Sequence, residues 1–230
     1  MKKIVSIEEV ISKISDGMVI MFGGFMGCGN AHKITKALSE SGVQNITMIC
    51  NDASMITSPF GEAHYGVAKL IHNRQVKKLI ASHVGLNPEV AEQMNEGSLD
   101  VVLVPQGSLV EMIRAGGMGL GGVLTPTGIG TIVEDNDFVH GKIVIDEKEY
   151  LVKKPLRADI AILSGHIVDE SGNTWFKGTT RNFSQVMAMA ADTVILEAEK
   201  LVEVGAIEPE NVMTPGILVD YIVCGGVENG

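Results

Sequence analysis

Four glycines, Gly23, Gly24, Gly27 and Gly29, fall within seven residues. An apolar run stands before them and an amphipathic stretch after them. Glycines at such a boundary let the backbone turn sharply and let a ligand approach peptide N–H groups, and a helix N-terminus favours negative charge. A phosphate, a pyrophosphate or a carboxylate suits such a place, and so does a tight turn with no ligand. The spacing is neither Gly-x-Gly-x-x-Gly nor a loop ending in Gly-Lys-Ser/Thr, so the dinucleotide fingerprint and the P-loop are both excluded. Asn51 and Asp52 follow a β-branched run directly, where ligands sit in parallel α/β sheets, although Asn and Asp also make simple turns. Arg181 and Asn182 follow a Gly-Thr-Thr turn, and the arginine can meet a phosphate or a structural carboxylate. His83 ends a strand without Asp or Ser partners at triad-like positions and reads as structural. Cys28, Cys50 and Cys224 show no CxxC spacing, so neither a disulfide framework nor a zinc site is indicated.

The elements that must position these groups alternate. Residues 18–22 are apolar throughout and too short for a helix, which predicts a strand buried on both faces. Helical spacing predicts helices over 7–15, with Ser6 and Glu9 as a capping box, and over 32–41, with Gly42 as its stop. Strands are expected at 46–50, 78–83, 99–104, 158–164 and 193–198, with an edge strand at 173–177 and an extended run at 215–223. Helices are expected at 87–96, after a Ser108/Glu111 capping box, and at 187–192. Residues 53–66 read as a long loop with one helical turn, and long loops in compact domains are often lids or contact surfaces. Residues 116–130 hold seven glycines and read as a surface loop open to a partner chain or a ligand. Two apolar runs, 143–145 and 150–152, flank the charged residues 146–149 and predict a hairpin. The pattern is α/β: a mainly parallel, doubly wound sheet flanked by helices, with a small β-hairpin excursion, in a single domain over 1–230.

The 230 residues are 45% apolar, enough for a sizeable core. With 18 basic and 28 acidic side chains the net charge is −10, and no cationic cluster exceeds Lys77-Lys78 or Lys153-Lys154. A nucleic-acid surface is therefore not expected. No apolar run approaches the ~18 residues that span a bilayer, and the N-terminus lacks a signal-peptide core, so the expectation is a cytoplasmic protein with no membrane partner.

Asp16-Gly17, five apolar residues, Gly23-Gly24-Phe25, three residues and Gly29 resemble the alpha-subunit signature of the two-subunit family I CoA-transferases, the acetate, acetoacetate and butyrate CoA-transferases among them. That family usually has Pro two residues after the last glycine, where this chain has Ala31. The resemblance covers nearly the whole chain. Asn51-Asp52, Asp100-Val-Val-Leu-Val-Pro-Gln-Gly, Arg114-Ala-Gly-Gly-Met-Gly-Leu-Gly-Gly, Leu124-Thr-Pro-Thr-Gly, Gly178-Thr-Thr-Arg-Asn-Phe, Met187-Ala-Met-Ala-Ala and Met213-Thr-Pro-Gly resemble its blocks, in its order.

The resemblance implies a carboxylate nucleophile that attacks an acyl-CoA thioester, carries CoA, and passes it to a carboxylic acid. That glutamate lies on the family's other, beta, chain, so no catalytic residue is expected in this one. The substrate-binding residues implied here are Gly23, Gly24, Phe25, Gly27 and Gly29, shaping an acyl pocket with their backbone, and Asn51 and Gln106, donating amide N–H groups without titrating. CoA is implied as substrate, with no tightly bound cofactor, no metal, and a CoA-transferase beta-subunit partner in an α2β2 assembly. Glu228 in the terminal Glu-Asn-Gly resembles the partner's nucleophile motif, yet so near a chain end it reads as an ordinary exposed acid. Residues 58–64 read as an insertion relative to the family, expected near the pocket mouth. Two other readings stand beside this one. A stand-alone sugar-phosphate isomerase or hydrolase on a related fold would need its own acid/base carboxylates, and none cluster in the glycine motifs. A non-catalytic acyl-CoA-binding module would bind without turnover. The acyl group is not legible, because one methylene is worth only about 1–3 kcal/mol in a pocket.

Overall fold

The apolar run before the glycines forms β1, Val19–Phe22, in the middle of the main sheet. In this computed structural model, which describes residues 3–58 and 61–225, β1 pairs in parallel with β2, Ile46–Cys50. Beyond β2 lie β3, Val76–Ala81, and β4, Asp100–Leu103. On its other side β1 pairs in parallel with β8, Ala158–Asp169, followed by β10, Ala191–Val202, and β11, Tyr221–Cys224. The order is β11-β10-β8-β1-β2-β3-β4, with the short β9, Thr174–Trp175, antiparallel on β8. The parallel, doubly wound sheet expected from the alternating pattern is the one observed. Successive crossovers carry the chain outward from β1 to β4, and it then returns to β8 on the other side. The order thus reverses between β1 and β8, and in open α/β sheets ligands bind in the crevice at such a reversal.

Burial on both faces explains why β1 has no polar position. Ile20 and Phe22 pack on one side of the sheet and Met21 on the other, all essentially inaccessible. The first side is covered by α1, Ile7–Ile11, α2, His32–Glu40, α3, Ala68–His72, and α4, Pro88–Asn95. The second is covered by α5, Gln106–Gly117, and α6, Ser184–Ala190.

Several boundaries differ from expectation for identifiable reasons. Helix α1 stops at Ile11, although Ser6 does cap it, its Oγ accepting from Glu9 N at 3.2 Å. Helix α3 was not anticipated: five residues give too short a period to read. Helix α5 starts at Gln106 behind Pro105 with no side-chain cap. Ser108 is buried and Glu111 pairs with Arg114 at 3.0 Å, so the expected capping box does not form. Residues 116–130 are not one loop. Gly116 and Gly117 close α5, where a Cβ on Gly116 would lie 1.9 Å from Leu156 O, and β5, Val123–Thr125, joins a second sheet. That sheet holds the expected hairpin, β6, Val139–Ile145, and β7, Lys148–Lys153, plus β5, all antiparallel. Its turn is only Asp146-Glu147, at φ 48° and 62°, the left-handed pair that a tight hairpin requires. Strands β8 and β10 run to Asp169 and Val202, well past 164 and 198, because each supplies the other's backbone partners after the apolar run ends. Helix α6 starts at Ser184, and β10 takes over Ala191 and Asp192. Of 215–223, Gly216–Leu218 is a 3-10 turn and only the end is strand.

Candidate functional site

At the carboxyl end of β1 the glycine loop continues the sheet for one residue, Gly23 N donating to Ile162 O at 3.0 Å. Phe25 and Cys28 then exchange a pair of 2.9 Å backbone bonds around a tight turn. Gly24 N donates to Asn182 Oδ1 at 3.0 Å, and Met26 N to Asp52 Oδ1 at 2.9 Å. Five consecutive or near-consecutive N–H groups of the loop are thus used inside the protein, which leaves no ring of donors to cradle a phosphate. The glycines serve close approach instead. Gly24 sits at φ +110°, and a Cβ there would lie 2.1 Å from Asn30 Nδ2, whose amide donates to Gly23 O. A Cβ on Gly27 would lie 2.1 Å from the Tyr65 ring.

The start of α2 is filled from within. Glu197 on β10, buried, accepts from Ile34 N at 2.9 Å and from Lys33 N at 3.3 Å. The negative charge that a helix N-terminus favours is this chain's own carboxylate. Burial holds the Glu197 carboxyl above its ordinary value, and the two backbone bonds act against that shift.

Asn51 and Gln106, 55 residues apart, meet at the ends of β2 and β4. Gln106 Nε2 donates to Asn51 Oδ1 at 2.8 Å, and Ser82 Oγ reaches the same oxygen at 3.1 Å. Asn51 is 3% exposed, whereas Gln106 is exposed at the first turn of α5. With Oδ1 occupied, Asn51 Nδ2 is the group left to donate. A chain of contacts links this pair to the glycine loop: Ser82 Oγ to His83 Nδ1 at 3.0 Å, and the His83 ring to the Phe25 ring at 5.5 Å. Phe25, His83, Ser82, Asn51 and Gln106 thereby line the carboxyl ends of β1, β3, β2 and β4.

His83 lies beyond β3, in an isolated bridge with Asp52, and holds the place of a spacer. Asp52 pins the β2 end to the glycine loop, accepting from Met26 N and, through Oδ2, from Ser54 N at 2.8 Å. Burial raises its carboxyl above the ordinary value, opposed by those two bonds and by His83. Arg181 and Asn182 part company. Arg181 lines a hollow of about 410 Å³ with Arg114 and Gln185. Asn182 holds the glycine loop, with Oδ1 also accepting from Phe183 N at 2.7 Å. Glu228 lies outside the described residues.

Residues 53–58 and 61–66 are more ordered than a loop without a period suggests. Thr57 bridges Ala63, and His64 N and Tyr65 N donate back to Ile56 O and Met55 O at 2.9 Å. This brings the Tyr65 ring onto Gly27 and over His32, 4.6 Å between centroids. Ser82, Asn30, Tyr65 and Glu197 are the positions that sequence reasoning missed. Ser82 carried the same polar strand-end signal as Asn51, while the other three have none. Among the described residues no helix is long and apolar enough to cross a membrane.

A family model described as Coenzyme A transferase matches residues 4–225. The acetoacetyl-CoA:acetate/butyrate CoA transferase alpha subunit of Clostridium acetobutylicum is 50% identical over 221 residues, covering 96% of this chain and 97% of that one. The acetate CoA-transferase alpha subunit of Escherichia coli K12 is 43% identical over 221 residues, 96% of either chain. Among solved structures, an acyl-CoA transferase of Escherichia coli O157:H7 in a thioester complex with CoA superposes with TM-score 0.85 at 23% identity. The match covers 96% of this chain and 46% of that one, so this chain spans about half its length. Glutaconate coenzyme A-transferase of Acidaminococcus fermentans gives TM-score 0.83 at 17% identity, over 96% of this chain and 75% of the other. Those two likenesses show the fold; the family model and the full-length relatives show that this chain belongs to the coenzyme A transferase family, on its alpha-subunit side.

Proposed function

We propose that this chain is the alpha half of a short-chain acyl-CoA:carboxylate CoA-transferase that uses acetate, acetoacetate or butyrate as donor or acceptor acids. It works in the cytoplasm as one domain over 1–230, with a beta subunit in an α2β2 assembly. The observation that carries the reading is the Asn51–Gln106 amide pair beside the glycine loop at the reversal of strand order. The relatives' names supply the substrates and the subunit relation.

A beta-subunit carboxylate attacks the thioester carbonyl, CoA leaves as thiolate, and an acyl anhydride with the enzyme forms. The thiolate then attacks the enzyme's own carbonyl, releasing the first acid and leaving a CoA thioester on the enzyme. The second acid reverses the two steps and departs as its CoA ester. Both substrate carboxylates and both tetrahedral oxyanions carry negative charge, which preorganised neutral donors stabilise without a proton to lose. In this reading Asn51 Nδ2 donates to that oxygen, and Gln106 and Ser82 lock its orientation by holding Oδ1. Gly23, Gly24, Phe25, Gly27 and Gly29 form the wall of the acyl pocket, and Tyr65, directly after the 58–64 insertion, packs on that wall.

The test is CoA transfer from acetoacetyl-CoA to acetate with the chain alone and with its beta partner. Activity in the mixture alone is expected. Activity of the chain alone would move the nucleophile here and make Glu228 the first residue to replace. Binding of acetoacetyl-CoA with no turnover in the mixture would instead mark a binding module.

A further inference from the structure

His64, His72 and Glu89 come from three segments: the turn before Tyr65, the last residue of α3 and the first turn of α4. His64 Nε2 lies 3.0 Å from Glu89 Oε1, and His72 Nδ1 lies 3.1 Å from the same oxygen and 3.2 Å from Oε2. The two imidazoles stack, with centroids 3.7 Å apart and planes at 24°. All three donor atoms fall within 4.8 Å of one another. We propose that these three side chains bind a divalent zinc-class metal ion.

Two imidazoles and one carboxylate are the donor set of open zinc sites, with water completing the shell. Bonds of about 2.0–2.1 Å in a tetrahedron separate neighbouring donors by about 3.3 Å, so the carboxylate-to-imidazole spacings widen only slightly to admit an ion. The rings must splay from their stack for both lone pairs to point at one centre. His64 then carries its proton on Nδ1 and His72 on Nε2. The His72 side chain is 52% exposed, which opens the site to an ion and to water. Because Tyr65 follows His64 and lies on Gly27 and His32, the ion ties α3 and α4 to the wall of the glycine loop.

The experiment uses the untagged, full-length, chelator-stripped protein. Zinc binding is measured by calorimetry, and the visible absorption of cobalt(II) reports the donor set. The expected result is one saturable equivalent, with oxygen- and nitrogen-type cobalt bands and a thermal midpoint raised by zinc. His72→Ala, at an exposed position, and Glu89→Gln, of unchanged shape, should each weaken binding by about 100-fold or more, since loss of even an outer partner costs about 10–100-fold. Both variants should keep the unliganded thermal midpoint close to that of the parent. No saturable binding overturns the proposal. Affinity unchanged in both variants, or thiolate bands from the exposed Cys28 or Cys224, overturns it equally.

Discussion

The two glycine-rich stretches look alike in composition, but all four glycines of the first loop are pressed by another element, whereas three of the seven in the second face open space. In the first, a Cβ on Gly23, Gly24, Gly27 or Gly29 would come within 2.7 Å of Ser184, Asn30, Tyr65 or Thr180. Each glycine there is a point where another element presses on the backbone. In the second, Gly119, Gly121 and Gly130 meet nothing within 4 Å, and Gly116, Gly117, Gly122 and Gly128 are crowded. That stretch is divided between the end of a helix, a strand and a turn. Glycine count therefore marks where a backbone is free to bend, whereas the contacts around it decide whether a site is built there.

The largest effect that tests this contrast is at Gly24. G24A places a side chain at φ +110° against Asn30, and backbone strain alone costs about 1–3 kcal/mol before Asn30 is displaced. Urea unfolding should show a loss at the top of that range, and transfer by the enzyme reconstituted with its beta partner should collapse. Next comes N182A, which leaves the N–H groups of Gly24 and Phe183 without their acceptor. It should cost about 1–3 kcal/mol and lower transfer in proportion to the misplaced loop.

Gln106 separates function from stability at the same site. Gln106→Ala should lower transfer at least about 10-fold, equivalent to about 1.4 kcal/mol in the barrier, with a smaller loss in unfolding free energy. Equal activity would remove Gln106 from the site. Glu197 sharpens the comparison through pH, because a carboxylate caps the helix after the first stretch. Its carboxyl lies above the ordinary 4.5 in the folded protein. Protonation therefore favours the folded state: this stabilising contribution is complete below 4.5 and fades as pH rises through the raised folded value. The stability of the parent relative to E197Q should decline over that window in urea unfolding followed against pH, and a flat difference would contradict the assignment. At the small end, G119A, at φ +69° with open space around it, should cost about 1 kcal/mol. G121A should stay within about 0.5 kcal/mol. A cost at Gly119 or Gly121 equal to that at Gly24 would erase the distinction.

Much of the fold was legible because its signals are local. The β1 run, with Ile20 and Phe22 facing one layer and Met21 the other, has no polar residue for water. Asn51 stood out as a polar residue at the end of such a run. The readings that failed lacked a local signal. Helix α3 is a five-residue turn of helix, too short for a period, and Ser108 and Glu111 had cap spacing but lay inside a helix already started by Pro105. Strands β8 and β10 extend through Gly165-His166 and Glu199-Lys200 because they pair with each other, which no single-strand pattern reveals.

By itself the amino-acid order determined the alternation of strands and helices, the glycine-loosened turn after β1 and the identity of the amide at the end of β2. Each follows from hydrophobic period or backbone freedom over a few residues. Only the tertiary structure decided that Gln106 meets Asn51 across 55 residues and that Glu197 closes the start of α2 across 163. Those meetings depend on where the crossovers set each strand end, and side chains that distant in sequence share no local constraint that could announce them.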